Sequence, residues 1–336
     1  MSLPKTYRAA IINSSGSDFE IVEKPLESPT EGTVLVKILA CGVCASDGMV
    51  KYGMTALPRV AGHEIIGDVV DVPSTENQWK VGDRVGSGWH GGHCHHCASC
   101  KESDFITCSA EAINGITRDG GYAEYAVLRT EALLPVPKGL DPAEAAPLLC
   151  AGVTTFNALR NVSDLKQGDL VAVHGLGGLG HLGIQYATKM GYKVVALSQS
   201  SAKKDLATEL GADYYFDASQ VNQVEELMKL GGAKVILATA PQGDDIATLL
   251  GGLKIGGTML TVAIADLKFS TLALIGKRSM IKGWPSGHAK DSEDAVAFAQ
   301  KHNVKSLVET FSLDQVNEAY GKMQSGKVRF RAVLIP

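Results

Sequence analysis

Long hydrophobic runs are missing from this 336-residue chain, and none approaches the roughly 20 residues that a membrane-spanning helix needs. The opening residues, MSLPKTYRAAIINSSGSDFE, have neither the apolar core of a secretion signal nor the Arg-rich amphipathic pattern of a transit peptide. An excess of one charge is missing too. With 32 basic and 36 acidic residues the net charge is −4 and no basic block occurs, which argues against nucleic acid or an anionic membrane as partner. There is no internal repeat and no low-complexity segment. Cysteine is sparse at seven residues, and without a sign of an oxidising compartment a disulfide framework is not expected. A cytoplasmic protein follows, in which clustered thiols hold metal rather than each other. Glycine, in contrast, is plentiful at 37, and implies many tight turns and close backbone approaches. The length suffices for two domains with a full-sized core.

Two textures divide the chain. Up to about residue 148 it is β-rich and irregular, with short β-branched runs at 33–42, 64–72, 83–89 and 121–128 separated by Gly, Pro and Asp turns. From about 165 strands alternate with helices. LVAVHG (170–175) is a buried strand, LGHLGIQYATKMG (179–191) a helix and KVVALS (193–198) a strand again. Helix 201–212 and strand 214–218 follow, then a strand at 234–240, a helix near DDIATLLGGL, and strands at 257–263 and 280–284. This alternation predicts right-handed crossovers and a parallel, doubly wound α/β sheet. The tail returns to mixed structure, with a helix in DSEDAVAFAQKH and a closing strand in VRFRAVLIP. The parallel-sheet domain is thus inserted into the β-rich one.

Between the strand LVAVHG and its helix lies GLGGLG, in which Gly175, Gly177 and Gly180 fit G-x-G-x-x-G, with Gly178 and Leu179 between them. The first glycine makes a tight turn, the second admits a pyrophosphate and the third lets helix and strand pack closely. Partial positive charge at the helix N-terminus favours the phosphates. A strand–turn–helix context raises the motif from a common Gly-rich turn to a dinucleotide site. An NAD site places Asp or Glu about 20 residues on, for the ribose 2′-hydroxyl. Here ALSQSSAKK (196–204) has no carboxylate before Asp205, whereas Ser198, Ser200 and Ser201 are small donors and Lys203 or Lys204 can pair with a 2′-phosphate. NADP(H) is favoured, with NAD(H) the alternative. His174 and His181, which flank the loop, read as packing or capping residues.

Four of the seven cysteines, Cys94, Cys97, Cys100 and Cys108, fall within HCHHCASCKESDFITC. One compact loop of this spacing can wrap a tetrahedral ion. Four thiolates leave no vacant position, so such an ion shapes the loop and does no chemistry. His93, His95 and His96 can each replace a thiolate, but four sulfurs already complete a tetrahedron. The other cysteines sit in CGVCASD (41–47) and LLCAGVTT (148–155), with AGHEIIG (61–67) between.

Taken together, CGVCASD, AGHEIIG, the four-cysteine loop, HGLGGLGH, LLCAGVTTFNAL and GKVRFRAVL resemble the zinc-dependent medium-chain alcohol dehydrogenases along nearly the whole chain. The resemblance is greatest to the subgroup of cinnamyl-alcohol-type dehydrogenases and bacterial aldehyde reductases. It implies a β-rich GroES-like catalytic domain over residues 1–150, with a structural zinc loop at 93–108. It further implies a Rossmann cofactor domain over 151–284 and a return to the catalytic domain over 285–336. Cys44, His63 and Cys150 would hold a catalytic zinc with one position open; this ligand set is itself characteristic of alcohol dehydrogenases, so it belongs to the resemblance and is not independent of it. Glu64 matches a transient fourth ligand, Asp47 the carboxylate that orients the metal-bound His, and Ser46 the hydroxyl that passes the alcohol proton outward. Trp89 matches a wall of the substrate pocket, Thr154 a support for the nicotinamide and Arg331 a cofactor phosphate contact. Cys41 reads as a small buried thiol.

The implied activity is reversible hydride transfer between NADP(H) and a primary alcohol or aldehyde, with two zinc ions per subunit. Trp89 and the segment around Tyr52 and Leu57 suggest a medium aliphatic or aromatic substrate. KFSTLALIGKRSM (268–280) lies where relatives extend their sheet into a dimer, so a homodimer or homotetramer is expected. One departure stands out: Met49 and Ala45 occupy positions where relatives often have His, so the proton leaves Ser46 by another route. Zinc-free quinone or enoyl reductases lack ligands at 44, 63 and 150, and polyol dehydrogenases commonly put an acidic ligand in place of Cys150. A non-catalytic zinc- and nucleotide-binding sensor or structural protein is the alternative of another class; it predicts cofactor binding without alcohol-dependent change in nicotinamide absorbance.

Overall fold

In a computed structural model describing residues 3–336, the chain forms two compact units. Met1 and Ser2, which the expected first domain and the opening stretch include, lie outside the described residues. Among the described residues, one unit comprises 3–153, Ser286–Phe298 and Lys305–Pro336, the other Thr154–Pro285 and Ala299–Val304.

The first unit is organised around the strand Thr33–Gly42, whose residues are buried almost without alternation, as in a strand covered on both faces. It pairs antiparallel with Ile65–Asp71, with Tyr125–Arg129 and, at its end, with Arg331–Ile335. The last pairing joins Val333 to Gly42 and Leu334 to Cys41. A second sheet carries the hairpin Thr6–Ile12 with Glu20–Pro25, which the sequence pattern did not reveal. Their shared core includes Val34, Val36, Ile38, Ile65, Tyr122, Phe311 and Leu334.

Two expected strands are shorter than their apolar runs. Residues 83–89 are extended only over Arg84–Ser87, since Gly88 lies so close to Leu149 that a Cβ there would be 2.5 Å from its carbonyl oxygen. Residues 121–128 join the sheet only from Tyr125. Before that, Gly121 and Tyr122 donate their amides to Gly62 and Ala61, which ties this segment to the residues preceding His63.

In the second unit six strands form one parallel sheet: β1 (Leu170–His174), β2 (Lys193–Ser198), β3 (Tyr214–Asp217), β4 (Ala233–Ala238), β5 (Leu253–Thr261) and β6 (Met280–Gly283). Their spatial order is 3-2-1-4-5-6, the doubly wound arrangement that the strand–helix alternation predicted. β1 and β4 are buried at every residue, as strands covered on both faces must be. Helix α1 (Gly180–Lys189) follows β1 directly after the glycine loop. The expected helix 201–212 opens as a 3₁₀ turn, Ser201–Lys203, continues as Lys204–Glu209 and stops before Gly211, whose φ of +104° favours glycine.

Candidate active site and metal centres

Antiparallel pairing of Thr33–Gly42 with Ile65–Asp71 brings Cys41 opposite Ile65, and the Gly42 amide donates to the Glu64 carbonyl at 3.0 Å. Cys44 leaves one strand where His63 and Glu64 enter the other. Cys150 arrives from elsewhere. Asp141 caps the short helix Pro142–Ala145 through the amides of Ala143 and Glu144, and a 3₁₀ turn, Ala146–Leu149, then delivers Cys150. The ligand atoms of Cys44, His63, Glu64 and Cys150 all lie within 4.8 Å of one another.

The donor set fits a metal ion. Cys44 and Cys150 place their sulfurs 3.8 Å apart, while two thiolates on a tetrahedral zinc stand roughly 3.8 Å apart. His63 is fully buried; its Nδ1 lies 3.1 Å from Asp47 Oδ1, and its Nε2 has no hydrogen-bond partner among the described residues. A buried ring nitrogen left without a partner is costly unless something else fills that role. Glu64 turns Oε1 to the Arg331 guanidinium, both side chains being buried, and leaves Oε2 without a partner. The four groups perturb one another strongly. The hydrogen bond from Cys150, with His63 and Arg331 nearby, holds the Cys44 thiol well below its ordinary value, while the Cys150 thiol is driven up by the same bond and by burial. Burial works against a charged His63, yet Asp47 and Cys44 raise it well above the ordinary imidazole value. Burial pushes Glu64 up to about 7 against the opposing pull of Arg331.

Around this centre Ser46 is half-buried on the 3₁₀ turn Ala45–Asp47. Trp89 is half-buried and meets the His63 ring edge-to-face, with centroids 5.1 Å apart. Tyr52 is 59% exposed, whereas Leu57 and Met49 pack against the core. Cys41 is buried, as expected. Arg331, read from sequence as a phosphate contact, is only 7% exposed and is engaged with Glu64. Tyr122 was missed altogether. Its hydroxyl donates to Asp47 Oδ2 at 2.6 Å, and nothing in its sequence neighbourhood announces that contact.

The second cluster unites Cys94, Cys97, Cys100 and Cys108. Sulfur separations of 3.9 Å, for Cys94–Cys100 and Cys97–Cys108, are far from a disulfide bond of about 2.05 Å and near the edge of a zinc–sulfur tetrahedron. Backbone amides of Cys94, Cys97 and Ala110 point at these sulfurs at 3.4 Å, as thiolates require. Amides from Cys100 and Ser109 bring Cys97 down to about 5, while burial, with Cys97 and Cys108 beside it, drives Cys100 up to about 12. The neighbouring histidines stay outside. His93 stacks on Phe105 at 4.0 Å, and His95 and His96 are exposed.

In the parallel-sheet unit the three glycines take separate roles. Gly175 has φ +88°, a Cβ on Gly180 would lie 1.8 Å from the Gly175 carbonyl oxygen, and Gly177 has nothing within 4 Å. The open space at Gly177 is where a phosphate can approach backbone; Gly178 and Leu179 carry the loop into α1. Because the Gly175 amide donates to Leu197, the end of β2 lies beside this loop. Ser198 is half-buried there, Ser200 and Ser201 are exposed, and Lys203 donates to the Leu176 carbonyl at 2.6 Å. His181 caps as expected, with Nδ1 at 3.1 Å from the Gly177 carbonyl, and Thr154 is buried on the helix Ala151–Arg160.

Comparison with known proteins agrees with both units. Residues 30–138 match the alcohol dehydrogenase GroES-like domain, and residues 178–301 match the zinc-binding dehydrogenase domain. Alcohol dehydrogenase patD of Penicillium expansum is 48% identical over 334 residues, 98% of each chain. The chain belongs to the zinc-dependent medium-chain alcohol dehydrogenases. An alcohol dehydrogenase of Geobacillus stearothermophilus is 37% identical, covering 97% of this chain and 98% of its own. Among solved structures, cinnamyl alcohol dehydrogenase of Sorghum bicolor superposes with a TM-score of 0.90 at 30% identity, over 98% of each chain. The cinnamyl alcohol dehydrogenase of Helicobacter pylori in complex with NADP(H) gives 0.88 at 27% identity, again over 98% of each. As a member of this family the chain is an oxidoreductase that interconverts alcohols and aldehydes with zinc and a nicotinamide nucleotide.

Proposed function

We propose that the enzyme reduces medium-sized aliphatic or aromatic aldehydes to primary alcohols with NADPH, reversibly, and holds two zinc ions per subunit. The carrying observation is the buried, partnerless His63 Nε2 beside two sulfurs 3.8 Å apart, a set that wants a fourth, external oxygen. When bound, zinc supplies Lewis-acid polarisation of the substrate oxygen, and NADPH supplies hydride. The protein's own work is to hold and to exclude. Cys44, His63 and Cys150 hold the ion, Asp47 fixes the ring of His63, and Glu64, restrained by Arg331, keeps a carboxylate oxygen in reserve. Ser46 carries the proton between the substrate oxygen and the outside, and Trp89 offers an apolar wall. The four-cysteine loop holds the second ion for shape alone.

For the cofactor, Gly175, Gly177, Gly178, Leu179 and Gly180 receive the pyrophosphate and Thr154 supports the nicotinamide. NADP(H) rather than NAD(H) is supported by the stretch leaving β2, where Ser198, Ser200, Ser201 and Lys203 stand and residues 196–204 contribute no carboxylate of their own, although Asp245 reaches it from another element and accepts from Gln199 at 2.7 Å. The NADP(H) complex of the Helicobacter pylori relative points the same way. Residues 1–150 and 285–336 then act as the catalytic domain and 151–284 as the cofactor domain. Seven free cysteines, six of them in two metal-ready clusters, suit a reducing cytoplasm. A steady-state comparison of NADPH and NADH over a panel of aldehydes, with zinc quantified per chain, tests the proposal. Preference for NADH, or one zinc per chain in active enzyme, would overturn the corresponding part.

A further inference from the structure

Asp47 is a fully buried carboxylate in which two metal-site residues and one outsider meet. Its Oδ1 faces His63 Nδ1 at 3.1 Å, and its Oδ2 accepts the Cys44 amide at 2.8 Å. The outsider is Tyr122, also fully buried, whose hydroxyl donates to Oδ2 at 2.6 Å. Among the described residues no Lys or Arg pairs with Asp47, so neutral donors and an imidazole do all the work of replacing water around this acid.

Tyr122 is itself held from several sides. Its amide donates to Ala61 at 3.0 Å and its carbonyl accepts from Ala10 at 2.8 Å. Its ring meets Phe19 edge-to-face at 5.6 Å. It also lies over Gly62, where a Cβ would come within 2.4 Å of Cδ1; Gly62 has φ +96° and immediately precedes His63. A rigid donor of this kind selects one orientation of the Asp47 carboxylate.

We propose that Tyr122 is a positioning residue for the metal centre: through one hydrogen bond to Asp47 it sets the His63 ring and the Cys44 backbone together. The reason is geometric. With Oδ2 engaged by Tyr122 and Cys44, only Oδ1 is left to take the Nδ1 proton of His63, which leaves Nε2 as the lone-pair nitrogen that faces the sulfurs. Without the hydroxyl the carboxylate can turn about its Cβ–Cγ bond, and the ring loses its fixed tautomer and direction. The proposal rests on the reading of Cys44, His63 and Cys150 as a metal site.

Tyr122→Phe removes the hydroxyl and keeps the ring. In the full-length enzyme the zinc assigned to the Cys44 centre, identified as the ion missing from Cys44→Ser, is expected to transfer to a chromogenic chelator about tenfold faster than in the parent. The absorption bands of Co²⁺ placed at the centre should shift, while the second zinc is released as before. In an Asp47→Ala background the same Tyr122→Phe change should alter release by less than about twofold, because the acceptor it acts through is gone. Unchanged release from Tyr122→Phe, or the same acceleration in both backgrounds, overturns the proposal. Should Tyr122→Phe not fold, enzyme grown with 3-fluorotyrosine, a stronger donor of the same shape, must shift the Co²⁺ bands, and an unshifted spectrum overturns it. A parent that holds zinc only in the four-cysteine loop refutes instead the metal reading on which the proposal rests.

Discussion

With Nδ1 turned to Asp47, His63 has one nitrogen left to give, and that nitrogen is buried without a partner among the described residues, on a ring clustered with Cys44 and Cys150. Chemistry at this site therefore depends on single atoms. Cys44→Ser exchanges one buried sulfur for an oxygen and leaves the rest of the side chain unchanged. Turnover should fall by at least about a thousandfold, since Lewis-acid assistance is worth several kcal/mol at 1.36 kcal/mol per tenfold. The melting temperature should move by no more than about 3 °C. Stopped assays and a thermal melt on one preparation check both. Sequence reached this ligand set only through the resemblance of CGVCASD, AGHEIIG and LLCAGVTT, taken together, to a known family, each stretch being weak alone. It could not reach Tyr122 or the partner of Arg331. A tyrosine in a β-rich stretch is ordinary, and its hydrogen bond to Asp47 exists only once Gly121 and Tyr122 are stitched to Ala61 and Gly62.

Elements show their constraints through paired substitutions. The loop holding Cys94 to Cys108 has only the 3₁₀ turn Phe105–Thr107 and the single helical turn Ala98–Lys101 as regular structure, so sulfur ligation must shape it. Cys100→Ser should cost at least about 3 kcal/mol of stability, as loss of a structural metal typically does; denaturant unfolding of this variant beside Cys44→Ser measures it, and equal losses would contradict the division between the two centres. The glycine loop offers a second contrast. At Gly180 a Cβ would be driven into the Gly175 carbonyl, so Gly180→Ala should destabilise the cofactor-free enzyme by about 1–3 kcal/mol. At Gly177 a methyl meets no protein atom, so Gly177→Ala should leave the melt unchanged and weaken NADPH binding, which fluorescence titration reads.

Asp119 joins the strand Glu20–Pro25, through Lys24 at 2.5 Å, to Arg59 at 3.1 Å and to the amide of Val60 at 3.2 Å. Burial alone would raise its pKa, but Lys24, the amide and Arg59 outweigh it and hold the carboxyl below its ordinary range. A depressed folded-state value gives stability that is present above the unfolded value, near 3.9, and lost as pH falls through the lower folded one. With its side chain 40% exposed, Asp119→Asn should cost only about 1 kcal/mol at pH 7. In acid the difference between parent and variant should vanish, and a gap that persists there would show that packing, not charge, is responsible.

For the whole molecule, the doubly wound sheet was legible because its strands are continuous apolar runs set apart by helices of regular period. The β-rich unit was legible only in pieces. Its central strand, Thr33–Gly42, is unmistakable, but the hairpin of Thr6–Ile12 with Glu20–Pro25 mixes charge into both strands and shows no clear alternation. β6 is an edge strand, and near it in the chain Ile264, Leu272, Ile275 and Met280 are 93%, 71%, 72% and 51% exposed. So much apolar surface beside an unpaired strand edge calls for cover. The parent should therefore run in size-exclusion light scattering at no less than twice 35.4 kDa, and Leu272→Glu with Ile275→Glu should reduce it to the single-chain 35.4 kDa. A monomeric parent would dismiss the expectation.

The strand Arg331–Ile335 is laid against Cys41 and Gly42, and Arg331 meets Glu64 under the metal centre. On the ribosome, this strand emerges well after Cys44, His63 and Cys150. A chain stopped before Arg331 would leave the buried Glu64 carboxylate without its counter-charge, so metal retention at Cys44, His63 and Cys150 should weaken in such a chain, which zinc quantification reads.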